Sequence, residues 1–252
     1  MPFDLESVRS QLPDRRIDWR ASVRSTMIEA SRLASSGCES GTVVGAEEQT
    51  AGQGRYGRVW HSEPGAGLYV SIVLRYAFTS NTVPLVTLAL GLAVVEAVLK
   101  ATDLACDLRW PNDVLIQSKK CGGILTHLEG SAVIAGIGIN VNHAEFPPAL
   151  RPLATSLRMA SGQLYSRERL LVELLSSVES FCTLLEKEGR GPIITMFSLA
   201  SSFVYGRRVE VDLGESIVRG TTAGLNESGF LMLRGDDGSD NVIVAGGVRP
   251  CS

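Results

Sequence analysis

Gly52-Gln53-Gly54-Arg55-Tyr56-Gly57-Arg58-Val59-Trp60 interleaves three glycines with two arginines, a flexible backbone carrying fixed positive charge, and reads as an anion-binding loop. Gly52 to Gly57 satisfies the dinucleotide fingerprint G-x-G-x-x-G, and adding Val59 satisfies the glycine-rich loop of protein kinases, so the pattern alone has several owners. Its neighbours choose among them. Upstream, Thr42 to Glu47 is a short β-branched run that leads through Glu48, Gln49 and Thr50 into the loop. Downstream, after the turn-rich Ser62-Glu63-Pro64-Gly65-Ala66-Gly67, Leu68 to Arg75 is a strong strand. The loop therefore joins two strands, whereas a dinucleotide site needs a helix to begin inside the glycine run. The V-A-I-K, H-R-D and D-F-G elements of a kinase and the lysine-bearing P-loop pattern are all missing.

Working outward, residues 1–20 read as a short arm or leading helix, and Ser22 to Ala34 as a helix with Ser25 and Thr26 near its start, where hydroxyls cap or bind. Leu85 to Lys100 is apolar almost all round, a helix expected to be sandwiched or at an interface. A strand from Leu104 to Trp110 ends at Pro111-Asn112-Asp113. Val114 to Gln117 and Gly123 to Glu129 read as a hairpin with Ser118-Lys119-Lys120 at or near its tip. In the strand Ala132 to Val141, Gly136 and Gly138 mark close approach of another group to the backbone or simply permit packing. Ser166 to Lys187 has leucines at helical spacing and is scaffold. From Tyr205 onward short β runs separated by turn residues form a small all-β module of the size of a five-stranded barrel, which divides the chain into 1–203 and 204–252.

With 252 residues, 44% of them apolar, the chain can bury a sizeable core and is expected to be a soluble globular protein. A net charge of -3 argues against a generally basic nucleic-acid surface, so any anion site must be local. Five scattered cysteines without a C-x-x-C pair fit reduced thiols and a cytoplasmic location. His61, His127 and His143 lack H-E-x-x-H spacing, which argues against zinc. The mixed charges of Met1 to Arg20 exclude a secretory signal, and Pro84 to Ala101, which contains Glu96 and Lys100, suits a buried helix better than a membrane span.

The cationic groups Arg55, Arg58, Lys119 and Lys120, with Asn112-Asp113 and Asn140, suit a site for phosphate and a carboxylate, where positive charge offsets the charge that grows on phosphorus oxygens. Four blocks then carry a resemblance: Glu47-Glu48-Gln49-Thr50-Ala51-Gly52-Gln53-Gly54-Arg55-Tyr56-Gly57-Arg58; Arg109-Trp110-Pro111-Asn112-Asp113; Lys120-Cys121-Gly122-Gly123-Ile124-Leu125; and Gly136-Ile137-Gly138-Ile139-Asn140-Val141. In order and at similar spacing, they resemble the signature blocks of biotin protein ligases, from about Ser22 to the C-terminus. The resemblance implies an α/β (α+β) fold, a mixed sheet flanked by helices and related to class II aminoacyl-tRNA synthetase catalytic domains, with a small C-terminal SH3-like β-barrel. It also implies the activity: biotin and ATP give biotinyl-5'-AMP and pyrophosphate, and the biotinyl group passes to a lysine of the biotin carboxyl carrier protein or domain of acetyl-CoA carboxylase.

By the same resemblance Lys120 and Arg55 are the catalytic pair, Lys120 carrying the main electrostatic role. Biotin is expected on Ser25, Thr26, Gln49, Gly52, Gln53, Gly54, Arg55, Trp60, Lys120, Gly123, Gly136 and Gly138, and ATP on Arg55, Arg58, Asn112, Lys120 and Asn140, with Asp113 offered as a magnesium ligand. Homodimerisation fits the family; DNA and membrane binding are not expected, since nothing in the first 20 residues resembles a helix-turn-helix. Some positions depart from the pattern: Arg24 and Met27 flank Ser25-Thr26 where the family has Asp and Asn, Gln53 replaces an arginine of some members, His127 stands where many have glutamate, and the ending at Gly246-Gly247-Val248-Arg249 looks short. The competing readings are a lipoate or octanoate ligase or transferase of the same superfamily, a non-catalytic biotinyl-adenylate sensor or repressor, and a bare scaffold with an interaction module.

Overall fold

Alternation along the central strands decides which face of the sheet each helix covers. In a computed structural model, which describes residues 3–78, 81–214 and 216–251, seven strands form one sheet: β1 (Ile17–Val23), β2 (Val43–Gln49), β3 (Gly67–Leu74), β4 (Asp107–Arg109), β5 (Asp113–Ile116), β6 (Lys119–Glu129) and β7 (Ala132–Asn140). Their order is β1-β2-β3-β7-β6-β5-β4. Only β1 and β2 pair in parallel, so the sheet is mixed as expected. Val43, Leu68, Val70, Ile72, Leu74, Val133, Ala135, Ile137 and Ile139 belong to the larger core. That core contains α3 (Val83–Thr102) and α5 (Arg167–Glu188), which pack on each other. Val44, Val73, Ala132 and Ile134 meet Met27, Ala30 and Ala34 of α2 (Thr26–Ser35) in a second, smaller cluster on the opposite face. Gly136 and Gly138 share the parity of Ile134 and therefore face the α2 side, which is where the cleft opens.

α3 is long and apolar enough to cross a membrane by composition, but twelve of its residues, from Leu85 to Val98, are buried in the core. α1 (Leu5–Gln11) packs against α5, as a leading helix should. The sequence reading missed β1, which occupies the rest of that segment. Its burial is confined to its two ends, because it is an edge strand with a partner on one side only, and a half-exposed edge carries little hydrophobic signature. Consequently the helix expected from Ser22 starts only at Thr26.

Two further helices, α4 (Leu157–Ser161) and α6 (Arg190–Leu199), were also not read from sequence. Gly191 and Pro192 at the start of α6 look like a loop, yet proline is tolerated in a first turn, whose N–H groups have no helical partner. The strand expected over Leu104 to Trp110 shortens to β4 and ends at a cis Trp110–Pro111 peptide.

The last residues form a five-stranded antiparallel sheet: β8 (Tyr205–Asp212), β9 (Ile217–Leu225), β10 (Leu231–Arg234), β11 (Asp240–Ile243) and β12 (Gly247–Pro250), in the order β11-β10-β9-β8-β12. β12 lies in the ending that looks short beside the family pattern. The core continues without a break from α3 and α6 into Val209, Val211, Leu231 and Leu233. Trp110 Nε1 donates to Gly229 O at 2.9 Å, fastening the first sheet to a turn of the second.

Candidate active site

The glycine loop joins β2 to β3, as expected, and borders a cleft of about 610 Å³ on the α2 side of the sheet. The loop is folded on itself: Gly54 N donates to Arg58 O at 2.7 Å, and Trp60 N donates to Gly52 O at 2.9 Å. Tyr56 takes a left-handed φ of 57° and Gly57 one of 69°, so the tip turns sharply and leaves Tyr56 and Val59 largely exposed. Beyond the tip the chain dives inward at Trp60.

Trp60 explains the small residues of β6 and β7. A Cβ added to Gly138 would lie 2.5 Å from Trp60 Cε2, and one on Gly123 2.9 Å from Trp60 Cζ3. On Gly136 it would meet Met27 Sδ at 2.5 Å. The close approach read from the sequence is thus made by an indole and a thioether, which wall an apolar slot. Gly52 is small for a related reason, since a Cβ there would stand 2.9 Å from Trp60 O.

Lys120 reaches this slot through an irregularity in its strand. The register of β5 against β6 shifts between Val114 and Leu115, so that Val114 faces Gly122 and Leu115 faces Lys120, leaving Cys121 as the extra residue of a β-bulge. Without the bulge, Lys120 would point to the opposite face from Gly123. With it, Lys120 Nζ is 3.0 Å from the Cβ position of Gly123 and 5.3 Å from the Trp60 ring centroid. Lys120 thus lies near the hairpin tip, as the second residue of β6; the tip itself is Gln117-Ser118, both at positive φ. Its backbone is clamped as well, Lys120 N to Leu153 O and Thr155 N to Lys120 O, both at 2.9 Å.

Asp113 holds the ammonium in place. Its Oδ1 is 2.5 Å from Lys120 Nζ and its Oδ2 is 2.6 Å from Arg109 Nη2. Burial pushes the Asp113 pKa up, but Lys120 and Arg109 outweigh it and hold the carboxyl below its ordinary value. Both oxygens are thereby committed to cations, and a magnesium ion at Asp113 would have to displace them. The residues around Asp113 do not make a divalent-cation site.

Arg55 is half-buried against Asn112 and the C-terminal sheet. Its Nη1 donates to Asn112 Oδ1 at 3.0 Å and to Gly246 O at 3.3 Å, and its Nη2 donates to the Tyr56 hydroxyl at 2.9 Å. Burial lowers the Arg55 pKa, with Tyr56 and Asp113 partly offsetting it. Arg58 is exposed and lies 3.8 Å from Asp212 of β8. Asn112 uses its amide nitrogen on Ile124 O at 2.9 Å, and Asn140 uses its own on Thr155 O at 3.1 Å, so both expected nucleotide contacts are also structural.

At the other end of the slot, Gln49 Oε1 accepts from Thr26 N at 2.9 Å and from Thr26 Oγ1 at 3.1 Å. Gln49, and not Ser25, therefore caps α2. Ser25 occupies the cap position without a capping bond, and its Oγ is buried without a partner. Trp60 Nε1 is likewise buried and unpaired. Unsatisfied buried polar atoms are uncommon, and this one belongs to a residue that lines the cleft.

Of the expected residues, Thr26, Gln49, Gln53, Gly54, Arg55 and Arg58 line the cleft from the α2 and loop side. Trp60, Asn112, Asp113, Lys120, Asn140 and the glycines 123, 136 and 138 line it from the sheet. Ser25 and Gly52 lie behind the wall. Residues without an assigned role also contribute, namely Arg109, Phe146, Leu153, Phe203 and the tail from Gly246 to Pro250. Only Arg109 stood in a quoted block; the others come from loops and from β12, which carry no local signal. Five cations, Arg55, Arg58, Arg109, Lys120 and Arg249, face two carboxylates, Asp113 and Glu210, so the cleft is locally positive in a chain of net charge -3.

Comparison with known proteins agrees with this geometry. Residues 19–143 match the model of the biotin/lipoate A/B protein ligase family. The chain is 33% identical to the biotin–acetyl-CoA-carboxylase ligase of Mycobacterium tuberculosis, covering 98% of this chain and 94% of that one. It is 32% identical to the bifunctional ligase/repressor BirA of Bacillus spizizenii, covering 94% of this chain and 75% of the relative. Among solved structures, the biotin protein ligase of Aquifex aeolicus in complex with biotin and ATP superposes with a TM-score of 0.84 at 30% identity, over 94% of this chain and 99% of that one. The chain therefore belongs to the biotin/lipoate A/B protein ligase family, among its biotin protein ligases.

Proposed function

We propose that the protein is an ATP-dependent biotin protein ligase that makes biotinyl-5'-AMP and then passes biotin to a lysine of a biotin carboxyl carrier protein. The observation that carries this reading is an apolar slot, walled by Trp60 against Gly123 and Gly138, with Lys120 Nζ at its end. Such a slot suits a neutral ring and aliphatic tail whose carboxylate finishes beside a cation. In the first step a biotin carboxylate oxygen attacks the α-phosphorus of ATP, and the bond to the bridging oxygen of pyrophosphate breaks. Both partners are anionic, and Lys120 offsets their repulsion and the charge that builds on the phosphoryl oxygens. Asp113 orients Lys120 and acts as its counter-ion, and no metal role is assigned to it. Arg55 retains the adenylate, and the glycine loop keeps water from the mixed anhydride.

In the second step the neutral amine of the acceptor lysine attacks the anhydride carbonyl, forming the amide and releasing AMP and a proton. The unpaired Trp60 N–H and the Gln49–Thr26 pair supply hydrogen-bonding groups of the kind a ureido ring needs. In this reading residues 1–203 carry the chemistry, and 204–252 contribute Gly246 to Pro250 to the cleft wall. The five cysteines, all free, fit a reducing compartment, and we assign the reaction to the cytoplasm.

Incubation with ATP, magnesium and either biotin or lipoate, followed by mass spectrometry, tests the reading. Biotinyl-adenylate and, with carrier domain added, a biotinylated lysine are expected. Formation of the lipoyl product alone would transfer the protein to the lipoate branch.

A further inference from the structure

The spacing of the three histidines argues against a metal, yet the fold brings two of them together beside a carboxylate. One ring nitrogen from each of His61 and His143 and one oxygen of Glu63 lie within 4.8 Å of one another. Ligand atoms of a tetrahedral site stand about 3.3 Å apart, because each bond to zinc is about 2.0 Å. Glu63 is exposed and His61 partly exposed, so both side chains have room to turn toward the buried His143.

The hydrogen-bond pattern favours ligation. Tyr69 has one hydroxyl proton, and Glu63 O, at 3.1 Å, can only accept it. The contact at 3.1 Å between the Tyr69 oxygen and His143 Nε2 must then be donated by the imidazole. His143 is therefore the Nε2–H tautomer, and the lone pair is on Nδ1, which is buried without a partner. An imidazole whose other nitrogen donates to an oxygen is the arrangement that metal-bound histidines adopt. Among the described residues, neither the His61 ring nitrogens nor the Glu63 carboxylate has a hydrogen-bond or ion-pair partner. Three groups with ligand chemistry thus converge while other partners are absent.

We propose that His61, Glu63 and His143 form a binding site for a divalent transition-metal ion of the zinc type, with a fourth position open to water. His61 directly follows Trp60, and His143 lies just beyond β7, so the ion would tie the inner end of the glycine loop to the segment that follows β7. His61 lines the same cleft as Lys120, but the test of metal binding does not depend on the biotin reading.

Titration of the metal-free full chain with Zn²⁺ by calorimetry, and with Co²⁺ by visible absorption, tests it without substrate. One ion per chain is expected, with a Co²⁺ spectrum of nitrogen and oxygen ligands and a rise in Tm with added zinc. His61→Ala and Glu63→Gln should each weaken binding at least about tenfold, and Tyr69→Phe, which removes the acceptor of the His143 N–H, by a similar factor. His143→Ala removes a buried side chain and can fail to fold, so His61→Ala and Glu63→Gln are the deciding variants. His127→Ala, at the exposed His127–Glu129 pair, should leave binding unchanged. Absence of saturable binding, a thiolate charge-transfer band, or affinity that survives His61→Ala but not His127→Ala would overturn the proposal.

Discussion

Lys120, Asp113 and Arg109 form a single electrostatic unit, and its parts respond differently to substitution. Lys120→Ala removes the cation at the end of the slot, while Asp113 retains Arg109 at 2.6 Å, so the fold should persist. Loss of one preorganised electrostatic group costs about 10²–10³-fold in rate, and we expect adenylate formation, followed as pyrophosphate release, to fall by that much at unchanged cooperativity of unfolding. Asp113→Asn leaves two cations facing each other. Breaking a fully buried pair costs about 3–5 kcal/mol; here Asp113 and Lys120 keep 18% and 30% side-chain exposure, so about 2–3 kcal/mol is expected by urea titration. The folded Asp113 pKa lies below its ordinary 3.8, so its stabilisation is complete above about pH 4 and disappears as pH falls through the depressed value. The stability gap between wild type and Asp113→Asn should therefore narrow in acid below pH 4 and stay flat from pH 5 to 8.

At the scale of elements, the glycine loop is anchored at both ends and exposed at its tip. Trp60 fixes the inner end against the glycines of β6 and β7, and Arg55 ties the outer part to Asn112 and to Gly246 before β12. A hydrogen bond to a charged group is worth about 1.5–3 kcal/mol. Arg55→Ala should accordingly speed the dissociation of biotinyl-adenylate about 10–100-fold in a chase experiment, while adenylate formation remains measurable. An unaltered dissociation rate would mean that the loop does not retain the intermediate. Glycine positions in this loop were legible as flexible backbone, but their packing partner was not, because Trp60 meets Gly138 and Gly123 from strands more than sixty residues away in sequence.

Across the whole molecule, the second sheet is fastened to the first through core packing and one buried polar contact. Trp110, in a signature block, donates to Gly229 O, and Gly229 sits against Leu85 and Leu88 of α3. Trp110→Phe keeps most of the ring volume but leaves that carbonyl without this donor, a loss of about 1–3 kcal/mol. We expect a lower urea midpoint in a single cooperative transition, since the core runs continuously through both sheets. Two separate transitions would instead show that 204–252 unfolds on its own.

The chain by itself determined the strand-loop-strand setting of the glycine run, the apolar α3, the long α5 and the close approach at Gly136 and Gly138. These follow from local periodicity and from residue types whose backbone preferences are strong. The edge strand β1 escaped notice because half of its surface faces solvent. Only the tertiary structure decided which face Lys120 serves, because a one-residue bulge reverses the alternation that a strand otherwise imposes. It also decided that Asp113 is spoken for by two cations, that Gln49 and not Ser25 caps α2, and that His61 and His143 meet. Each of these depends on contacts between segments distant in the chain, and no local pattern encodes them.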